Sequence, residues 1–259
     1  MDVTLEYTKT AAQNANAYFD KAKVYKKKLQ GVEVAVQHTY EKIKQLEVEE
    51  QQSLAQAQAK VQQLQQKKEW YEKFRWFFTS NNLLVIGGRD ATTNEIIIKK
   101  HTVDKDIVFH TDMAGSPFFV IKVDQQQPTP QELQEVAQLT AVYSKAWQMG
   151  LGGADVFWVT PQQVTKEAQS GEFLKKGGFM IKGKTNYVTF DAMQVFMRIE
   201  QGKVKVYARE PQRPYARINQ GNVKSSDAAK KMRSFFQAGV IDDIVRSLPT
   251  GGVSIRLVK

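Results

Sequence analysis

The sequence predicts an α+β protein: a long antiparallel coiled-coil hairpin over residues 1–78, then a mixed α/β globular domain over 79–259. Three observations carry this. Apolar residues recur at alternating steps of four and three through the first eighty positions, the spacing of a coiled-coil seam. After the aromatic run WYEKFRWFF the hydrophobic period changes to that of strands. Strands and helices then follow one another without the regular alternation of a doubly wound sheet.

The seam runs through Ala11, Ala15, Tyr18, Ala22, Tyr25, Leu29, Val36, Tyr40 and Ile43, and resumes at Leu54, Ala57, Val61, Leu64 and Tyr71. Between the two runs its positions fall on Glu47 and Glu50, so EVEEQQS places a hairpin tip near 48–53. Gly31 is the rival tip, although one glycine inside a helix costs only about 1 kcal/mol. Trp70, Phe74 and Phe77 read as core residues. Strand patterns follow in LLVIGG, EIIIKK, DIVFH and PFFVIK. Thr129 and Pro130 then open a helix through about Met149, whose inward stripe is Leu133, Val136, Ala137, Thr140, Ala141 and Ser144. GLGG ends it, ADVFWV is a strand, and a helical or turn segment covers Pro161–Gln169. Further strand pieces lie at 178–182, 186–199 and 203–208. Helices at about 226–237 and 241–247 and the strand VSIRLV close the chain.

The chain has 259 residues, enough for one sizeable domain plus an extended element. It lacks cysteine, which excludes disulfides and thiolate metal sites. No apolar leader and no run of eighteen apolar residues is present, so neither export nor a membrane partner is expected. Positive charge is concentrated toward one end: residues 182–259 hold fifteen Lys/Arg against six Asp/Glu, while the first 181 are nearly balanced at twenty-two against twenty-one. A basic end on a neutral body suits a polyanion.

GFMIKGKT, residues 178–185, matches the phosphate-loop pattern G-x-x-x-x-G-K-S/T by letters. Its middle residues are strand-like, and NYVTFDAMQVFMRI after it offers no helix start, so the phosphate-loop reading fails. Lys182 and Lys184 flanking Gly183 suit contact with a nucleic-acid backbone instead. The densest polar constellation is VIGGRDATTNEIIIKK: Gly87 and Gly88 end a strand, and Arg89, Asp90, Asn94, Glu95 and Lys99 follow within eleven residues. Arg89 and Asp90 read as a turn-stabilising ion pair. On a strand Glu95 and Lys99 would share a face, as would His110 and Asp112. Asp90, Glu95 and Lys99 could form a metal-dependent nuclease, but E-I-I-I-K is not the E-x-K spacing such sites use. The few histidines make no metal centre. KVKVYAREPQRPYARI interleaves Lys203, Lys205, Arg209, Arg213 and Arg217 with Tyr207 and Tyr215, a pattern for RNA contact that an idle β-ribbon would share.

WYEKFRWFFTSNNLLVIGGRDATTNEIIIKKHTVDKDIVFHTDMAGSPFFVIK, with YSKAWQMG and PQQVTKEAQSGEFLKKGGFMIKGKTNYV, resembles the RNA-binding (R) domain of the NFACT family, which includes ribosome quality-control factors. The resemblance takes in the preceding coiled coil, and the continuation from KSSDAAKKMRSFFQ to VRSLPTGGVSIRL is similar to the archaeal type. It implies a binding module and no catalysis or cofactor. Its partners would be RNA (tRNA or large-subunit rRNA) and the large ribosomal subunit, in the cytoplasm, where family members recruit charged tRNA and support template-free tailing of the nascent chain. By motif matching, Gly87, Gly88, Arg89, Asp90, Asn94, Glu95, His110, Asp112, Gly115, Lys166, Lys182, Gly183 and Lys184 inherit signature positions. RNA contact is expected at Arg89, Lys99, His110, Lys166, Lys182, Lys184, Arg209 and Arg213. The coiled coil would hold a protein partner or a second copy, and a coiled-coil protein-interaction scaffold, with RNA affinity incidental, is the alternative beside the nuclease. Family members usually begin with a large N-terminal domain and a helix-hairpin-helix segment, whereas this chain begins almost where the coiled coil would, as a fragment or a shortened relative.

Overall fold

The computed structural model describes residues 3–65, 69–167 and 174–259, and side chains from 52 to 65 lie outside the description. It divides into two compact units, Met1–Lys67 and Lys68–Lys259.

The first unit is one helix, α1 (Ala11–Gln65). A capping box starts it: Gln13 N–H donates to Thr10 Oγ1 at 3.3 Å and Thr10 N–H to Gln13 Oε1 at 3.0 Å. The expected turn at 48–53 is a correction, because the helix runs straight through it, and through Gly31. Glu, Gln and Val hold helical geometry whether or not they offer an apolar seam, and no proline interrupts them. A gap in the seam removes a packing contact, not a backbone hydrogen bond. Tyr25, Leu29, Tyr40 and Ile43 of the seam are exposed. The seam residues from Leu54 to Leu64 fall among the undescribed side chains.

The second unit holds an antiparallel six-stranded sheet in the order β1-β2-β4-β3-β5-β8. Its strands are β1 (Arg75–Phe78), β2 (Leu84–Gly87), β3 (Ile107–Thr111), β4 (Phe119–Ile121), β5 (Val156–Val159) and β8 (Asn186–Val188). Period-two alternation sorts its side chains. Ile86, Val108 and Val120 face one core with Ile97 of α2 (Ala91–Lys100), while Val85, Phe109, Phe119 and Ile121 face another with α3 (Pro130–Val142). That second core continues into an antiparallel four-stranded sheet, β10-β9-β11-β12, of β9 (Val195–Glu200), β10 (Lys203–Tyr207), β11 (Tyr215–Val223) and β12 (Val253–Val258). Helices α5 (Ser225–Phe236) and α6 (Ile241–Ser247) pack there as well, through Ala228, Ala229, Met232 and Ile244. Among the described residues, no helix is long and apolar enough to cross a membrane.

Several expected elements are redrawn. EIIIKK is the body of α2, not a strand. Asp90 caps that helix reciprocally with Thr93, and Lys99 and Lys100 sit in its last turn, so cap and dipole override the β-branched run. The helix opened by Thr129 stops at Val142, and α4 (Lys145–Gln148) follows, because the Ser144 hydroxyl donates to Ala141 O and accepts from Ala146 N–H. The 186–199 run is cut into β8 and β9, which lie in different sheets. At 178–182 only β7 (Met180–Ile181) forms, pairing with β6 (Val164–Thr165). Pro161–Gln163 is a single 3-10 turn, and Gln169 lies outside the described residues. Phe74 and Phe77 are buried, whereas Trp70 is 44% exposed and stacks on His101 at 4.8 Å.

Candidate nucleic-acid interface

Six of the thirteen signature positions, Gly88, Arg89, Asp90, Asn94, His110 and Gly115, line a cleft of about 570 Å³, built where β2 ends, α2 begins, the β3–β4 turn passes and α4 starts. Its construction begins with glycines that let backbones close in. A Cβ on Gly88 would fall 1.7 Å from Asn94 Oδ1, so only glycine admits that side chain. Gly88 N–H donates to Phe118 O at 3.0 Å, and Phe118 N–H donates to the same Asn94 Oδ1 at 3.1 Å. These bonds stitch β2 and α2 to the start of β4. Gly87 abuts the Phe119 ring. On the opposite wall Gly177, at φ +76, seats the KKGG turn directly on Ala91 Cα.

Arg89 and Asp90 do not pair with each other, a second correction. Asp90 accepts from Thr93 N–H at 2.8 Å, and chiefly this bond holds its carboxyl below the ordinary value. Arg89 instead donates to Phe74 O at 2.8 Å and Arg246 O at 3.3 Å. Its Nε–H is buried and makes no hydrogen bond. Arg75 lies 4.5 Å above the Tyr143 ring and donates to Arg246 O at 3.3 Å. Among the described residues neither arginine forms an ion pair. Burial lowers the pKa of both, and Arg75 and Arg246 lower Arg89 further, outweighing the attraction of Tyr143 and Asp243. Burial pushes the Tyr143 hydroxyl up to about 12, and that hydroxyl donates to Ser247 O at 2.6 Å.

His110 stacks on Phe118 at 4.2 Å, and its Nε2–H donates to Ser116 O at 3.1 Å. Burial holds its pKa below 6.5, so the ring is a neutral wall and not a cation. Gly115, at φ +86, turns the chain beside it. Lys145, Lys175 and Lys176 complete the rim. The cleft thus has five cationic side chains, Arg75, Arg89, Lys145, Lys175 and Lys176, against Asp90, and Asp90 is already engaged with the α2 N-terminus.

Residues 73–183 match the NFACT protein RNA binding domain. The chain is 39% identical over 202 residues to the archaeal Rqc2 homolog aRqcH of Methanocaldococcus jannaschii, covering 74% of this chain and 30% of that protein. It is 37% identical over 180 residues to the ribosome quality control complex subunit NEMF of Homo sapiens, covering 69% of this chain and 16% of that protein. The chain belongs to the NFACT family. It spans less than a third of the length of these two relatives. A solved structure, the C-terminal part of the fibronectin/fibrinogen-binding protein from Streptococcus suis, aligns over 49% of each chain at TM-score 0.39 and 21% identity.

The remaining signature residues do not line the cleft. Glu95 and Lys99 share an α-helical i,i+4 pair at 2.6 Å, and Lys166 joins Glu95 at 3.8 Å while lying 4.7 Å from the Phe179 ring centroid. Lys99 chiefly lowers the Glu95 pKa. Gln163 clamps the lysine turn: its Nε2–H donates to Lys182 O and Lys184 O, each at 2.9 Å, and Lys182 N–H donates to Gln163 O at 2.8 Å. Gly183 takes φ +84 there, and Lys182 Nζ pairs with Glu167 at 2.6 Å. After Thr185 the chain enters β8, not a helix, as the failed phosphate-loop reading requires. Asp112 accepts the Tyr187 hydroxyl at 3.1 and 3.2 Å. The SGEF residues of the motif lie outside the described part.

Arg209 and Arg213 lie elsewhere, outside the matched residues. Arg209 pairs with Glu135 at 3.2 Å beside a separate cleft of about 460 Å³, and Arg213 precedes Pro214 at a cis peptide. Among the described residues no group of three His, Asp or Glu could hold a metal ion. Arg75, Lys145, Lys175 and Lys176 were not among the expected contacts. They lie inside the motif strings WYEKFRWFF, YSKAWQMG and FLKKGGF, so the signal for them was proximity to signature letters rather than charge density.

Proposed function

We propose that this chain is an RNA-binding module of a ribosome quality-control factor, engaging tRNA or large-subunit rRNA on stalled large subunits in the cytoplasm. The observation that carries the reading is that six NFACT signature residues line one cleft whose five Lys and Arg side chains form no ion pair among the described residues. Uncompensated Lys and Arg beside a concavity attract phosphate, and their own desolvation is offset when phosphate arrives. The relatives' names, which speak of ribosome quality control, support the setting. The module acts by binding. Asp90 is engaged in capping and Glu95 in holding Lys99, which leaves the nuclease alternative without a free acid pair. The exposed seam of α1 supplies the coiled-coil arm by taking a partner helix or a second copy of itself.

Equilibrium binding of the chain to tRNA and to rRNA fragments tests this. Affinity should fall linearly on a log–log plot against salt, with a slope of about −3 to −5 if four or five phosphates are contacted. No binding at low salt would sink the proposal, as would affinity insensitive to salt. Incubation of RNA with magnesium or manganese should leave it intact; cleavage abolished by Glu95→Gln would revive the nuclease.

A further inference from the structure

Resting on that RNA reading, we infer that the cleft takes a single unstacked nucleotide of the RNA, its phosphate on Arg75 and Arg89. The shape argues against a duplex backbone in the floor. At about 570 Å³ the cleft has the size of a small-molecule site, typically about 300–1,000 Å³. Duplex phosphates lie on a convex surface and reach only a rim, where Lys175 and Lys176 are exposed. Arg75 and Arg89 sit deeper, partly buried and tied to main-chain carbonyls. A group must protrude from the helix to reach them.

The charge pattern points to an anion at that depth. Two neighbouring arginines form no ion pair among the described residues, and Arg89 Nε–H is unbonded; Asp243 attracts Arg89, but Arg75 and Arg246 oppose it. Three carboxylates of the same unit are held by other cations: Glu135 by Arg209, Glu72 by Lys203 and Glu210 by Arg217. A smaller cleft of about 320 Å³, lined by Ser225 and Arg246, shares Arg75, Arg89 and Thr250 with the main one. The guanidinium pair therefore borders two open concavities. The remaining wall is apolar, with Ala91, Pro117, Phe118 and Phe179, a surface for a base and not for more phosphate.

The test compares three RNAs with the same stem: fully paired, carrying one bulged nucleotide, and carrying a short unpaired 3′ end. The full chain should bind the two unpaired forms about tenfold more tightly than the paired one, the gain that one base against an apolar wall supplies. The bulge and the free end separate an extruded nucleotide from a chain terminus; a gain for either supports the inference. Arg89→Lys should reduce the preference to less than about threefold while keeping charge, because lysine lacks the guanidinium fork. Since Arg89 also ties Phe74 to Arg246, Lys145→Gln, on the exposed side of the cleft, repeats the question without disturbing that tie. Equal affinity of the unmodified chain for all three RNAs would overturn the inference and leave the RNA reading standing. A preference that survives both variants would overturn its assignment to this cleft. An abasic bulge that keeps the whole gain would overturn nucleotide occupancy in favour of phosphate alone. No binding to any of the three would instead remove the RNA reading itself.

Discussion

The NFACT cleft and the C-terminal sheet are both rich in cations, and they treat them in opposite ways. On the sheet, Arg198 pairs with Glu200 at 3.2 Å, Lys203 with Glu72 at 2.6 Å and Arg217 with Glu210 at 2.6 Å. Lys205 lies 4.7 Å over the Trp76 ring, and the Tyr215 hydroxyl donates to Glu210. In the cleft Arg75, Arg89, Lys145, Lys175 and Lys176 form no ion pair among the described residues. Among the described residues, three of the five cations on the sheet strands are therefore paired, and none of the five in the cleft is. Phosphate affinity follows the uncompensated cation, because a paired one must first lose its partner.

Charge reversal at the cleft rim is the strongest way to break this contrast. Lys175→Glu with Lys176→Glu should weaken RNA binding by roughly a hundredfold at low salt, the scale expected when two phosphate contacts become repulsions. Lys203→Gln with Arg217→Gln on the sheet should change it by less than about threefold. Anisotropy titrations of both double variants decide, and a reversed order would mean the sheet is the principal RNA surface. Next in size is a structural break: Gly88→Ala forces a methyl into Asn94 and should cost about 2–4 kcal/mol in a urea unfolding curve. RNA affinity should fall with it, whereas a stable, fully binding variant would mean that the Gly88–Asn94 approach is not what shapes the cleft.

The smallest expected effect is a pH dependence. His110 and His101 have folded pKa values held below 6.5, mainly by burial. In the window just below 6.5 the unfolded chain binds more protons than the folded one, so stability should fall as pH drops through it. The urea midpoint at pH 5.5 should lie below that at pH 7.5, and His110→Gln should flatten the difference. An unchanged midpoint in the parent protein would show that neither ring is held neutral.

Much of the fold was legible because it depends on short-range periodicity. LLVIGG, DIVFH, ADVFWV and VSIRLV became strands and KSSDAAKKMRSFFQ a helix where their patterns placed them. EIIIKK was misread because three consecutive isoleucines weigh toward a strand, while the deciding event is a cap contributed by Asp90 and Thr93 just upstream. The hairpin tip was misread because loss of a seam was taken for loss of a helix. In the site, Arg89, Asn94, His110 and Gly115 were found through their motifs, and all four line the cleft. Lys99 and Lys166 meet instead at Glu95, and Lys182 and Lys184 flank a turn held by Gln163, since neighbours in a motif need not share a cavity.

By itself the sequence determined the family, the class of fold and the glycine positions, because motif letters and hydrophobic periods are local properties of the chain. Only the tertiary structure decided which cations are free. That outcome depends on whether a carboxylate distant in sequence arrives beside each one, as Glu72 does for Lys203 across 131 residues and as none among the described residues does for Arg75 or Arg89.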